Sequence, residues 1–204
     1  MRFAPLVLIG SIGAAAPLAA QRTVEFTPTA GYRFGGTVNG EGGKFAADDG
    51  LAWGFTLGYR VKPDGLVEFV YSRQSTSILF DPDTAAELTV GDASIDYFQI
   101  GGALEFGHNE KTKPFFALTL GATHFDPSST DLGDDWRFSF GGALGVKTYL
   151  SDNIGLRAQG RVWMTGLSGD TDFWCTLPGG CVIAGGGGTF FTQGEFSGGI
   201  MFVF

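Results

Sequence analysis

Beyond residue 20 the chain lacks any uninterrupted apolar run near the roughly 20 residues that a membrane helix requires. If the remainder enters a bilayer, it must do so with strands. Cysteine and histidine are both scarce, at 2 residues each. A zinc site needs about four such ligands from converging segments, and His108 and His124 fall in different parts of the chain from Cys175 and Cys181. Positive charge is also short, with 13 Lys and Arg against 21 Asp and Glu and a formal net charge of −8. That balance argues against nucleic acid as a partner. The glycine run Gly185–Gly188 has no helix pattern after it, so it is no phosphate cradle, and no cofactor is expected.

What is abundant is glycine, at 34 residues, together with 20 phenylalanines. The two pull in opposite directions in a soluble core. The first twenty residues, "MRFAPLVLIGSIGAAAPLAA", carry one positive charge, Arg2, and then an apolar stretch ending in small side chains. This is the layout of a secretory signal peptide with cleavage after Ala20, an uncleaved anchor being disfavoured by Gly13 and Pro17. Residues 21–204 then form one domain.

Within that domain hydrophobicity alternates with period two over eight segments: roughly 23–37, 51–62, 66–79, 92–107, 114–125, 135–150, 154–167 and 189–204. In the second, Trp53, Phe55, Leu57 and Tyr59 share one face, and Gly54, Thr56, Gly58 and Arg60 the other. The seventh sets Leu156, Ala158, Val162 and Met164 against Arg157, Gln159 and Arg161. The last sets Phe196, Ile200, Phe202 and Phe204 against Gln193, Glu195 and Ser197. A soluble sandwich also alternates, but its strands usually run about five or six residues. A lipocalin-like barrel would put the apolar face inside. These segments exceed the roughly 9–11 residues that cross a bilayer at a tilt.

The connections alternate in length. Pro63-Asp64-Gly65, residues 108–113 and residues 151–153 are short, while 38–50, 80–91, 126–134 and 168–188 are long. An even number of strands with short turns at one end and long loops at the other is the signature of an outer-membrane barrel. The expected fold is all-β, an eight-stranded antiparallel up-and-down transmembrane barrel.

On these residues the chain resembles the small eight-stranded outer-membrane barrels of Gram-negative bacteria, the OmpA-like and OmpX-like class. The most specific element is the terminal run from Gly199 through Phe202 to Phe204, which is similar to that class's C-terminal assembly signal. The resemblance implies a bacterial outer-membrane location and contact with outer-membrane lipids, including lipopolysaccharide. It further implies handling by the barrel-assembly machinery and a monomer.

A barrel of eight strands is just wide enough to be filled by its own side chains. Parity puts Glu25, Arg33, Arg60, Glu68, Gln99, Glu105, Lys147, Arg157, Arg161 and Glu195 inside. Buried charges cost several kcal/mol each unless paired, so a connected network is expected, with Arg60 standing opposite Glu68 across the 63–65 turn. Such a network can serve as a plug that fixes register, or as a narrow ion path. Interior glycines would make room for long cationic side chains and ease strand curvature. Tyr32, Tyr59, Tyr71, Trp136 and Tyr149 are candidates for interfacial girdles, although Tyr149 has interior parity.

The long connections and their edges gather Glu41, Asp48, Asp49, Asp81, Asp83, Glu87, Asp92, Asp126, Asp131, Asp134, Asp135, Asp170 and Asp172 against one base, Lys44. Such a rim is either simply solvated or able to take divalent cations. In the last long connection, "CTLPGGC" lets the chain double back through Pro178, Gly179 and Gly180, which suits a Cys175–Cys181 disulfide in an exported protein. An enzyme is not expected. His124 points outward near the extracellular end, but lipid A deacylases carry Ser two residues after His, and here that residue is Asp126. The expected role is structural or surface-interacting, with a low-conductance, porin-like pore as the alternative and a lipid-modifying enzyme after it.

Overall fold

The computed structural model describes residues 23–40, 43–82, 88–107, 109, 111–128, 135–167 and 189–204. The expected export segment 1–20 and the Cys175–Cys181 pair lie outside these residues. So do Glu41, Asp83, Glu87, Asp131, Asp134, Asp170 and Asp172 of the acidic connections.

The described residues form β1 (Val24–Gly35), β2 (Thr37–Gly40), β3 (Gly43–Ala47), β4 (Gly50–Lys62), β5 (Gly65–Pro82), β6 (Leu88–Glu105), β7 (Thr112–Pro127), β8 (Asp135–Tyr149), β9 (Ile154–Leu167) and β10 (Thr189–Val203). Eight of them, β1 and β4 to β10, pair antiparallel with their neighbours around a closed ring. Closure is made by β10 on β1, with Phe202 opposite Phe26 and Val203 opposite Glu25. Thr23 N donates to Phe204 O at 2.8 Å, and Phe204 N donates to Val24 O at 2.9 Å. Lipid offers no partner to an open sheet edge, so closure is what allows this sheet to sit in a membrane.

Side-chain exposure runs opposite to that of a soluble protein. On β4, Leu51 is 78% and Trp53 57% exposed, while Ala52 and Thr56 on the opposite face are buried. Arg33, Glu68 and Lys147 are fully buried. The apolar face therefore looks outward and the charged face inward, which removes the sandwich and lipocalin-like alternatives.

The first long connection differs from the sequence expectation. Residues 37–47 hold a short hairpin, β2–β3, rather than a plain loop. Its second strand pairs with the outer end of β5, placing Phe45 opposite Phe80 and Lys44 opposite Asp81. Lys44 thus sits in a strand. The hinge into this hairpin is Gly35-Gly36, with φ of 80° and 100°, the left-handed region that glycine enters at little cost. A Cβ on Gly36 would also lie 2.6 Å from the Phe191 ring.

Of the two uses expected of interior glycines, Gly101 and Gly121 serve curvature rather than room for cationic side chains. A Cβ on Gly101 would come within 1.9 Å of Leu118 O, and one on Gly121 within 2.0 Å of Phe98 O. At such positions the space is taken by the neighbouring strand's backbone, as tight coiling of a narrow barrel demands, and not by long cationic side chains.

Apolar residues also occupy part of the lumen. At its extracellular end Val38, Ala47, Ile95, Phe125, Trp163 and Phe191 pack together beneath the β2–β3 hairpin. Nearer the periplasm, Leu66, Ala103, Phe115, Ala117 and Ala143 form a second cluster.

Candidate functional site

The lumen is the place where a pore would have to run, and its side chains form two separate polar layers. The periplasmic layer is built from β1, β4, β6, β7 and β8. Arg60 Nη2 lies 2.5 Å from Glu25 Oε1, and its Nη1 lies 3.0 Å from Glu105 Oε2. Lys147 Nζ reaches the same two carboxylates at 2.6 Å and 3.0 Å, and Lys113 adds a contact to Glu105 at 3.5 Å. The Tyr149 hydroxyl stands within 3.2 Å of Glu25 and 3.3 Å of Glu105. Tyr149 therefore belongs to the lumen, as its parity indicates, and not to a girdle.

Arg60 does not face Glu68. The turn contains Pro63 and Asp64, Lys62 pairs with Gly65, and the register shifts between Arg60 and Lys62. The two-residue turn and this shift together place Arg60 opposite Leu66 and Glu68 opposite Gly58. Glu68 instead accepts two hydrogen bonds from Arg157, at 2.6 Å and 3.0 Å, with Lys147 Nζ 3.7 Å away. Paired bonds from one guanidinium to one carboxylate are the strong, directional form of such contacts.

The second layer lies further out. Arg33 donates to Glu195 Oε2 through Nε at 3.1 Å and Nη2 at 2.8 Å, and it also donates to Ser72. Trp163 Nε1 donates to the same carboxylate oxygen at 3.1 Å. Tyr97 and Trp163 stack with centroids 4.3 Å apart, and the Arg33 guanidinium sits 4.8 Å from the Tyr97 ring. Beside them the Tyr97 hydroxyl donates to Gln193, and Gln193 donates to Gln74.

Arg161 belongs to neither layer. Its Nη1 donates to Thr119 Oγ1 at 3.1 Å, and its guanidinium lies 4.9 Å from the Trp163 ring. Among the described residues its Nε and Nη2 have no hydrogen-bond partner. Of the residues expected in one network, Arg60, Glu68, Glu105, Lys147 and Arg157 are brought together. Glu195 pairs with Arg33 instead, and Arg161 stands between. Sequence reasoning missed the aromatic components Tyr97 and Trp163, although both share parity with the charged residues around them.

At the extracellular end the exposed acids Asp48, Asp49, Asp92 and Asp126 line an open cleft of about 430 Å³, together with Arg73, Ser75, Thr76 and Ser128. On the outward surface Tyr32, Tyr59 and Trp136 are exposed. His124 also faces outward, stacked on Trp136 at 4.5 Å. Gly199 faces the lumen side, while Phe202 and Phe204 face outward.

A closed ring of eight tilted strands, apolar outside and polar within, is the architecture of a transmembrane barrel of the bacterial outer membrane. The chain belongs to the outer membrane protein beta-barrel domain family, whose model matches residues 4–174. Solved structures with the same fold include the Neisserial surface protein A, at 17% identity and a TM-score of 0.58, over 89% of this chain and 97% of that one. The outer membrane protein OprG from Pseudomonas aeruginosa is similar at 16% identity and a TM-score of 0.56, over 89% and 96% of the two chains. The N-terminal barrel domain of Pseudomonas aeruginosa OprF follows at 13% identity and 0.50, over 90% and 98%. No curated protein matches the chain.

Proposed function

We propose that this barrel serves as a membrane-embedded platform for surface interactions, with its acidic connections displayed outward and its lumen closed by its own side chains. One observation carries this reading. Two hydrogen-bonded charge layers, the one around Lys147 and the one around Arg33–Glu195, lie across the lumen with aromatic and apolar side chains beside them. Opening a path would break contacts between buried charges, each break costing about 3–5 kcal/mol. On this reading the partners are outer-membrane lipids, including lipopolysaccharide, and the barrel-assembly machinery during insertion. The protein acts as a monomer and performs no catalysis. His124 stacks on Trp136, and Asp126 stands where a deacylase would place its serine. The test is swelling of proteoliposomes in small sugars. Wild-type protein should leave the swelling rate at that of protein-free vesicles, and sugar-size-dependent swelling would replace the platform reading with a pore.

A further inference from the structure

Among the described residues, three buried side-chain atoms lack a hydrogen-bond partner: Thr56 Oγ1 and the Nε and Nη2 of Arg161. Two of the three thus sit on one guanidinium, which is 2% exposed. Buried polar groups are nearly always hydrogen-bonded, so two orphaned donors on a single side chain call for a ligand. Position explains why the barrel itself does not supply one. Arg161 stands directly opposite Glu195 across β9–β10, but that carboxylate is engaged by Arg33, Ser72 and Trp163. The Arg161 side chain instead crosses β8 at Gly141 and Ala143, both too small to block it, and reaches Thr119 on β7.

The guanidinium is fixed on two other sides. Its Nη1 donates to Thr119 Oγ1 at 3.1 Å, and Thr119 in turn donates to Gln99 Oε1 at 2.6 Å. Its face lies 4.9 Å from the Trp163 ring. The Nε–H and Nη2–H bonds of a guanidinium run parallel along one edge and form a fork suited to an anion. Arg33 shows what this edge takes in the same lumen, since its Nε and Nη2 both donate to one oxygen of Glu195, at 3.1 Å and 2.8 Å.

Charge points the same way. The other buried lumen cations each lie against a carboxylate: Arg33 on Glu195, Arg157 on Glu68, and Lys147 on Glu25 and Glu105. Arg60 and Lys113 share the last two from the periplasmic mouth. Among the described residues no carboxylate is left over within ion-pairing distance of Arg161. A water molecule would meet the two N–H groups but leave the buried charge uncompensated, which is the costlier defect.

We propose that the Nε–Nη2 edge of Arg161 binds a small monovalent anion, a halide such as chloride, in the lumen between the two charge layers. One unbalanced guanidinium requires one negative charge. A barrel of eight strands is filled by its own side chains, which limits the ligand to ionic size. Thr119 and Trp163 are positioning residues that hold the edge in place. This inference goes beyond the platform reading and does not rest on it, since a conducting lumen would hold the same ion.

The test follows urea unfolding of the refolded protein in detergent micelles while sodium chloride replaces sodium gluconate at constant ionic strength. Arg161→Met reports the general effect of the two salts. Relative to that variant, the folded-to-unfolded ratio of the wild type should rise at least about tenfold as chloride goes from about 10 mM to about 1 M, as one site present only in the folded barrel requires. Arg161→Lys keeps the charge but loses the fork, and it should show a smaller rise than the wild type. Crystals of wild-type protein refolded in sodium bromide should give an anomalous peak within hydrogen-bond reach of Arg161 Nε and Nη2. A wild-type response equal to that of Arg161→Met would overturn the proposal. So would a lysine variant with the full response, or a bromide map with no peak at Arg161. The lysine variant and the bromide map decide the matter even where Arg161→Met folds poorly. Since conductance is not measured here, failure of this site leaves the closed-lumen reading untouched.

Discussion

Replacing Arg157 by Met tests whether the lumen charges are coupled as their distances indicate. The substitution keeps most of the side-chain volume over Phe115, whose ring lies 4.3 Å from the guanidinium. It removes both hydrogen bonds to Glu68, at 2.6 Å and 3.0 Å. Glu68 is fully buried, so its carboxylate retains one cation, Lys147 at 3.7 Å, itself shared with Glu25 and Glu105. Breaking a buried pair costs about 3–5 kcal/mol. The residual lysine places this case near the lower end, at about 3 kcal/mol. With a urea dependence of about 1–3 kcal/mol per molar for small proteins, the unfolding midpoint should fall by roughly 1–3 M. Lys44→Ala is the control, because Lys44 is exposed and faces Asp81 across β3–β5, and such a contact is worth under about 1 kcal/mol. Glu68→Gln combined with Arg157→Met should recover part of the loss, with a coupling of about 1–3 kcal/mol. Urea titrations in micelles of the wild type, Arg157→Met, Glu68→Gln, the double variant and Lys44→Ala, followed by tryptophan emission and by the heat-modifiable band, give the coupling and its control. Equal losses for Arg157→Met and Lys44→Ala, or strict additivity in the double variant, would refute the coupled layer.

Arg161→Met should cost clearly less than Arg157→Met in the same titration, because it removes a buried guanidinium with two unpartnered groups and strands no carboxylate. Gly101→Ala should sharply reduce the folded band, since its Cβ would lie 1.9 Å from Leu118 O, whereas Gly91→Ala, with nothing within 4 Å, should be silent. Phe204→Ala should lower the folded yield in outer-membrane fractions without affecting export, if the terminal run is read during assembly. If the acidic rim is simply solvated, it should respond to calcium and to sodium chloride of equal ionic strength alike. A calcium-specific gain in binding to lipopolysaccharide vesicles would restore the cation-binding alternative.

The barrel strands were legible because alternation over a dozen or more residues is a strong signal. The expected 154–167 is the observed β9, and the expected 51–62 differs from β4 by one residue. The β2–β3 hairpin was not legible, since strands of 4 and 5 residues bounded by Gly40 and Gly43 carry too few alternations. The Arg60–Glu68 pairing failed because the turn holds two residues, Pro63 and Asp64, instead of three and because the register shifts between Arg60 and Lys62, neither of which parity reveals. The apolar end of the lumen could have been found, because Ile95, Tyr97, Phe125, Trp163 and Phe191 all have interior parity. Arg73, Asp96 and His124 form a row of one residue from each of three strands, and the contacts among them become visible once register is known.

The most direct measurement of the closed-lumen account is the conductance of purified, refolded protein in a planar bilayer in molar potassium chloride. The two charge layers should leave the wild-type trace at the baseline of the protein-free membrane. A variant carrying Arg33→Ala and Glu195→Ala, which empties the outer layer around the Arg33–Glu195 contact at 2.8 Å, should raise the frequency of brief openings. Sustained, ohmic steps from the wild-type protein would contradict the account.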